Sequence, residues 1–156
     1  MPDTMPAETP HNARRHWMAV LARAAADELA AGLAAHGGVP VYQCLRGPES
    51  GLVMVRGRAG GGGAPFNLGE MTVTRCTVRT ADGQIGHAYV RGRDARQAEL
   101  AAALDALLQD PVRGAALHAG VIVRLAAEQA AGRSETARKA AATKVQFFAM
   151  RNMRAA

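Results

Sequence analysis

The tightest constraint on what this chain can fold into lies between Met71 and Arg91, where one alternating run, Met71 to Thr80, meets another, Ile85 to Arg91, across Ala81-Asp82-Gly83-Gln84. Successive side chains on a strand point to opposite faces, so a period of two held through both runs specifies a sheet with two unlike sides. Asp-Gly between the runs is hairpin chemistry, because glycine takes the positive φ that a tight turn demands. An all-helical bundle is thereby excluded.

Alternation sorts Arg75, Thr77, Arg79, His87, Tyr89 and Arg91 onto one face, and Cys76, Val78, Gly86, Ala88 and Val90 onto the other. Upstream, Val41 to Arg46 and Leu52 to Ala59 flank Gly47-Pro48-Glu49-Ser50-Gly51, which predicts a second hairpin and four strands in all. Continuing the same sorting places Met54, Arg56 and Arg58 with the arginines, and Val53, Val55 and Gly57 on the apolar side. That apolar side suits packing under helices. Burying an unpaired guanidinium costs several kcal/mol, so the arginine face must meet solvent, an anion or an acidic partner. A merely solvated face and a binding face both satisfy the pattern.

Helical periods surround the sheet. Asn12 is placed to cap a helix carrying Trp17, Val20, Leu21 and Ala24 on one side, and Asp27 starts another with Leu29 and Leu33 before Gly37-Gly38. Asp94, with Gln97 three residues on, has the pattern of a capping box for a helix through Leu100, Leu104, Leu107 and Leu108. Pro111 suits a first helical position ahead of Leu117, Val121 and Leu125, and Gly132-Arg133-Ser134 predicts a stop and a fresh cap. A basic amphipathic helix from about Glu135 follows, expected to dock on the body. With 156 residues there is room for one real core. The expected fold is α+β, a single domain at 12–156 after a disordered tail at 1–11, with a four-stranded antiparallel sheet packed by helices on one face.

Net charge is +6 and pI near 10.3, with Lys139 and Lys144 the sole lysines. Arginine's planar fork suits phosphate or carboxylate, although an Ala-, Gly- and Arg-rich composition can also reflect a GC-rich genome, so only the placement of arginines carries weight. Aromatic content of 4% and strands without paired stacking aromatics weigh against recognition of single-stranded nucleic acid. Cys44 and Cys76 are too few and too separated for a disulfide framework or a CxxC metal site, which points to a reduced, cytoplasmic protein. The histidines His11, His16, His36, His87 and His118 lack metal-ligand spacing, so no metal site is expected. Gly60 to Gly63 lacks a P-loop ending, and Ser50 and Ser134 sit in turn and cap contexts. No catalytic residue can be named. The candidate anion- or partner-binding residues are Arg56, Arg58, Arg75, Arg79, His87, Arg91 and Arg93, and Phe147 and Phe148 are candidate partner contacts.

Four blocks, at Arg14–Ala22, Gly51–Gly61, Phe66–Leu108 and Val145–Met150, occur in an order and spacing by which the chain resembles PhnG, a small subunit of the bacterial carbon-phosphorus lyase system. The matching positions include Trp17, Arg58, Gly69, Thr74, Arg75, Arg79, Gly83, Gly92, Arg93, Asp94, Phe147 and Phe148; the long Gly60–Gly63 run departs from the expected pattern. The resemblance implies a cytosolic core complex with PhnI, PhnH and PhnJ, and direct contact with PhnI. It also implies a role, with PhnI, PhnH and PhnL, in attaching a phosphonate to the anomeric carbon of ATP with loss of adenine. By the same resemblance ATP, with magnesium, belongs to the complex as substrate, and this subunit binds no cofactor of its own. A purely architectural subunit and an independent basic nucleic-acid-binding module are the alternatives, and no membrane is involved.

Overall fold

Gly83 takes φ 90° and its N–H donates to the Thr80 carbonyl at 3.0 Å, closing the expected turn in the computed structural model, which describes residues 10–58 and 62–145. Three strands, β1 (Tyr42–Gly57), β2 (Phe66–Thr80) and β3 (Ile85–Arg91), form an antiparallel sheet in the order β1-β2-β3. The expected four strands are therefore three. Gly47 to Gly51 does not turn the chain back; it is absorbed into one long strand through register shifts between Cys44 and Arg46 and between Arg46 and Glu49. β1 lies at the sheet edge, where a bulge accommodates the extra residue and Pro48 is tolerated. β2 also starts earlier than its alternation suggested, at Phe66.

Helices cover one face. α1 (Pro10–Leu21) begins at Pro10, so Asn12 lies inside it rather than capping it; a proline in the first turn needs no intrahelical N–H partner. The expected tail at 1–11 otherwise lies outside the described residues. α2 (Ala26–Ala35) buries Leu29 and Leu33, with the Glu28 carboxylate accepting the Ala25 N–H at 2.7 Å, and ends where Gly38 donates to the Leu33 carbonyl at 2.7 Å. α3 (Ala95–Leu108) lies centrally on β2 and β3. Its approach depends on Gly86: a Cβ there would strike the Ala102 carbonyl and lie 2.6 Å from the Ala106 nitrogen. Asp94 caps α3 by accepting the Gln97 N–H at 2.8 Å. The reciprocal half of the box is absent, because the Gln97 side chain donates to the Ala24 carbonyl at 2.7 Å and ties α3 to the α1–α2 junction.

After Asp110, whose carboxylate accepts the N–H groups of Val112 and Arg113, α4 (Gly114–Leu117) runs through a π-helical turn at His118–Ile122 into α5 (Val123–Ala142). The expected start at Pro111 is thus shifted to Gly114, and the expected stop at Gly132 does not occur. One helical glycine costs only about 1 kcal/mol, and α5 continues through alanines with a Glu135–Lys139 ion pair at 2.8 Å. Leu117, Val121, Ile122 and Leu125 are buried. From Ala130 the helix is exposed along its whole described length, so it does not dock on the body as expected.

Candidate interaction face

Strand register decides which side chains share the open face. Glu49 faces Arg75, Gly51 faces Val73 and Val53 faces Met71; across β2, Arg75 faces Tyr89, Thr77 faces His87 and Val73 faces Arg91. Arg75, Arg79, His87 and Arg91 are together on this side, as alternation predicted. Val53 and Val55 join them, whereas Leu52 and Met54 pair with Thr72 and Glu70 on the opposite side; past a register shift after Val55, Arg56 pairs with Asn67. The expected grouping with Arg75 is thus inverted for Met54, whereas Arg56 lies beyond the register shift on the side of Asn67, which shares the alternation of Arg75, and Arg58 follows the last residue of β1. The sorting assumed that the apolar face of β1 is buried throughout. It is not: α3 covers β2 and β3, while the distal halves of β1 and β2 project beyond it as a two-stranded arm. Leu52, Met54, Phe66 and Leu68 on that arm are exposed.

At the centre of the open face the Glu49 carboxylate accepts hydrogen bonds from Arg46 and, at 2.6 Å, from the Arg75 Nε. The Arg46 hydrogen bond above all, with that from Arg75 and the charges of both arginines, holds the Glu49 carboxyl below its ordinary range, against an opposing desolvation. Arg75 is therefore already partnered, sharing the Glu49 carboxylate with Arg46. Arg79 and Arg91 are exposed and have no carboxylate partner among the described residues, as is true of Arg93 in the turn after β3. His87 shares a hydrogen bond between Nδ1 and the Thr77 hydroxyl at 3.1 Å. Phe147 and Phe148 lie outside the described residues.

Beneath this face sits a polar group that sequence reasoning missed. Asp105, on α3, is fully buried and accepts hydrogen bonds from Arg14 Nη2 at 2.7 Å, Arg14 Nε at 3.2 Å, Trp17 Nε1 at 2.8 Å and the His87 backbone N–H at 2.9 Å. It locks α1, β3 and α3 together just behind the His87 side chain. A signal existed: an acid amid the apolar residues of α3 requires a partner, and Arg14 and Trp17 are one helical turn apart on α1. Cys76 is buried and burial pushes its thiol up to about 12, with the nearby Cys44 adding to the shift. Such a thiol stays protonated and is a packing group rather than a nucleophile. Among the described residues no three His, Cys, Asp or Glu side chains converge as a metal site.

A single helix-covered sheet with an arginine-bearing open face and a projecting arm has the surface of an assembly component. Residues 12–152 match the family described as "Phosphonate metabolism protein PhnG". The chain belongs to the PhnG family. It is 49% identical over 140 residues, 88% of this chain and 87% of the relative, to the alpha-D-ribose 1-methylphosphonate 5-triphosphate synthase subunit PhnG of Rhizobium meliloti (strain 1021). Several positions by which the chain resembles PhnG now have structural roles: Trp17 holds Asp105, Gly83 and Gly92 take φ near 90°, and Asp94 caps α3. Arg58, Arg79 and Arg93 have no carboxylate partner among the described residues. No helix of the described residues is long and apolar enough to cross a membrane.

Proposed function

We propose that this chain is an accessory subunit of the synthase that transfers a phosphonate onto the ribose anomeric carbon of ATP and releases adenine, and that it works through its open face without supplying the reacting groups. The observation that carries the proposal is Arg79, His87 and Arg91, exposed together on the open face of the sheet beside the Arg46–Glu49–Arg75 cluster. ATP and a phosphonate are both polyanions. Bringing them together costs Coulomb energy, and fixed cations near the meeting point or at the subunit boundary lower it. PhnI is the direct partner in this reading, with PhnH and PhnJ in the core complex and PhnL joining for the synthase step. ATP enters as substrate of the complex, with magnesium, and the assembly works in the cytoplasm.

The test uses the chain co-expressed with PhnI, PhnH, PhnJ and PhnL. Arg79→Gln and Arg91→Gln, singly and combined, should fold like the parent because both side chains are exposed. Loss of co-elution identifies the row as a subunit contact, in which an unpaired charge is left on the partner. Retained co-elution with lost phosphonate-dependent adenine release identifies it as an anion site. Wild-type assembly and turnover in the double variant would refute a functional role for this face.

A further inference from the structure

Among the described residues, one stretch of sheet edge lies open beside a groove. The first half of the outer edge of β3 is capped by side chains: Asp105 accepts the His87 N–H at 2.9 Å, and the Ile85 carbonyl accepts Gln109 Nε2 at 2.8 Å and Arg14 Nη2 at 3.3 Å. The outer edge of β1 carries no partner strand, but three register shifts and Pro48 interrupt the strand, devices that discourage strand pairing. On β2, however, pairing with β3 stops at Val73, because Gly92, at φ 89°, turns the chain away after Arg91. From Phe66 to Thr72 the strand pairs with β1 alone.

The direction of the free backbone groups follows from alternation. The Thr72 carbonyl accepts the Gly92 N–H at 2.9 Å, so Thr72 directs its backbone polar groups to the β3 side. Glu70, two residues earlier, directs its N–H and C=O the same way, while Met71 between them turns toward Val53 of β1. Beside this edge lies an open groove of about 900 Å³, whose lining includes Val53, Met71 and Val73 and, as charged groups, Arg23, Arg91 and the cap residue Asp94. Neither arginine has a carboxylate partner among the described residues.

We infer that the Phe66–Thr72 edge of β2 receives an extended segment of a partner subunit as an added strand, apolar where it covers Val53, Met71 and Val73 and acidic where it passes Arg23 and Arg91. Main-chain hydrogen bonds to Glu70 and Thr72 supply affinity, and the groove supplies side-chain specificity. A second copy of the chain fits less well. Pairing about a two-fold axis at Gly69 would set the copy's Glu70 opposite Leu68 and bring its Phe66, not an acid, to the two arginines. Two copies also bring together net charges of +6. The inference rests on the reading of the chain as a subunit of the synthase assembly.

Proline at position 70 removes one outward N–H while leaving the β1 pairing of Met71 intact, and alanine there removes only the carboxylate. Both full-length variants are co-expressed with the synthase subunits. Co-elution is followed by titration of the purified components, thermal unfolding of the free chain, and hydrogen exchange of the Glu70 and Thr72 amides with and without the partners. Glu70→Pro should weaken assembly at least 10-fold at unchanged melting temperature, and Glu70→Ala should assemble within about 2-fold of the parent. Both amides in the parent should slow their exchange on assembly. Should Glu70→Pro alter the melting temperature, the parent's exchange result decides by itself. Wild-type assembly by a stably folded Glu70→Pro, unslowed exchange at both amides, or a parent that self-associates through this edge would each overturn the inference while leaving the subunit role standing. Failure of the parent chain to co-elute would remove the subunit role itself, and the inference with it.

Discussion

Replacing Asp105 tests whether one buried carboxylate organises the body behind the open face. Its oxygens accept four hydrogen bonds from Arg14, Trp17 and the His87 backbone, all within 3.2 Å, and the residue is fully buried. In Asp105→Ala the Trp17 and His87 N–H groups lose their acceptor in a site closed to water, at roughly 1–3 kcal/mol each. Arg14 also loses its counter-charge, but its side chain is 32% exposed, so water recovers part of that loss. The expected destabilisation is about 3–5 kcal/mol. For a domain of this size that corresponds to a fall in melting temperature of roughly 6–20 °C. Asp105→Asn keeps one acceptor oxygen and should fall between parent and alanine variant. Thermal and urea unfolding followed by circular dichroism read both effects, and the Trp17 indole proton in an NMR spectrum reports the local bond directly. A loss below about 1 kcal/mol in Asp105→Ala, with the indole resonance unmoved, would refute the role given to this cluster.

Three further outcomes follow from the packing. Gly86→Ala should destabilise by about 2–3 kcal/mol in urea unfolding, since its methyl group meets α3 backbone that cannot move without lifting the helix from β3; a neutral result would mean that α3 sits farther from the sheet. Asp94→Ala removes the acceptor for the Gln97 N–H and should cost about 1 kcal/mol in urea unfolding; unchanged stability would contradict its role as a cap. Iodoacetamide at pH 8 should label exposed Cys44 in the native chain and Cys76 only after denaturation, because burial holds the Cys76 thiol protonated up to about 12; peptide mass mapping showing native labelling of both would contradict this.

The sequence made the central hairpin legible because its signals were local: Asp82-Gly83 fixes the turn, and alternation through Cys76, Val78, Ala88 and Val90 marks the buried side. The Asp94 cap was readable for the same reason. Errors arose where tertiary context outweighed local chemistry. Gly47-Pro48 has the composition of a turn, yet an edge strand took it up as bulges. Gly132 has the composition of a stop, yet its helix continued. Val53 and Val55 resemble core residues, but they belong to an arm that no helix covers, so hydrophobicity alone placed them on the wrong face. Asp105 escaped notice because its partners are 91 and 88 residues away in sequence. Arg75 looked equivalent to Arg79, and only the fold brings Glu49 across from β1 to pair with it.

The most direct measurement compares adenine release from ATP and a phosphonate by the co-purified PhnI, PhnH, PhnJ and PhnL proteins with and without this chain, alongside the chain alone. A subunit that supports the synthase predicts phosphonate-dependent release that requires the chain, and none from the chain by itself. Undiminished release without the chain, or release by the chain alone that one of its own point mutations abolishes, would contradict the account.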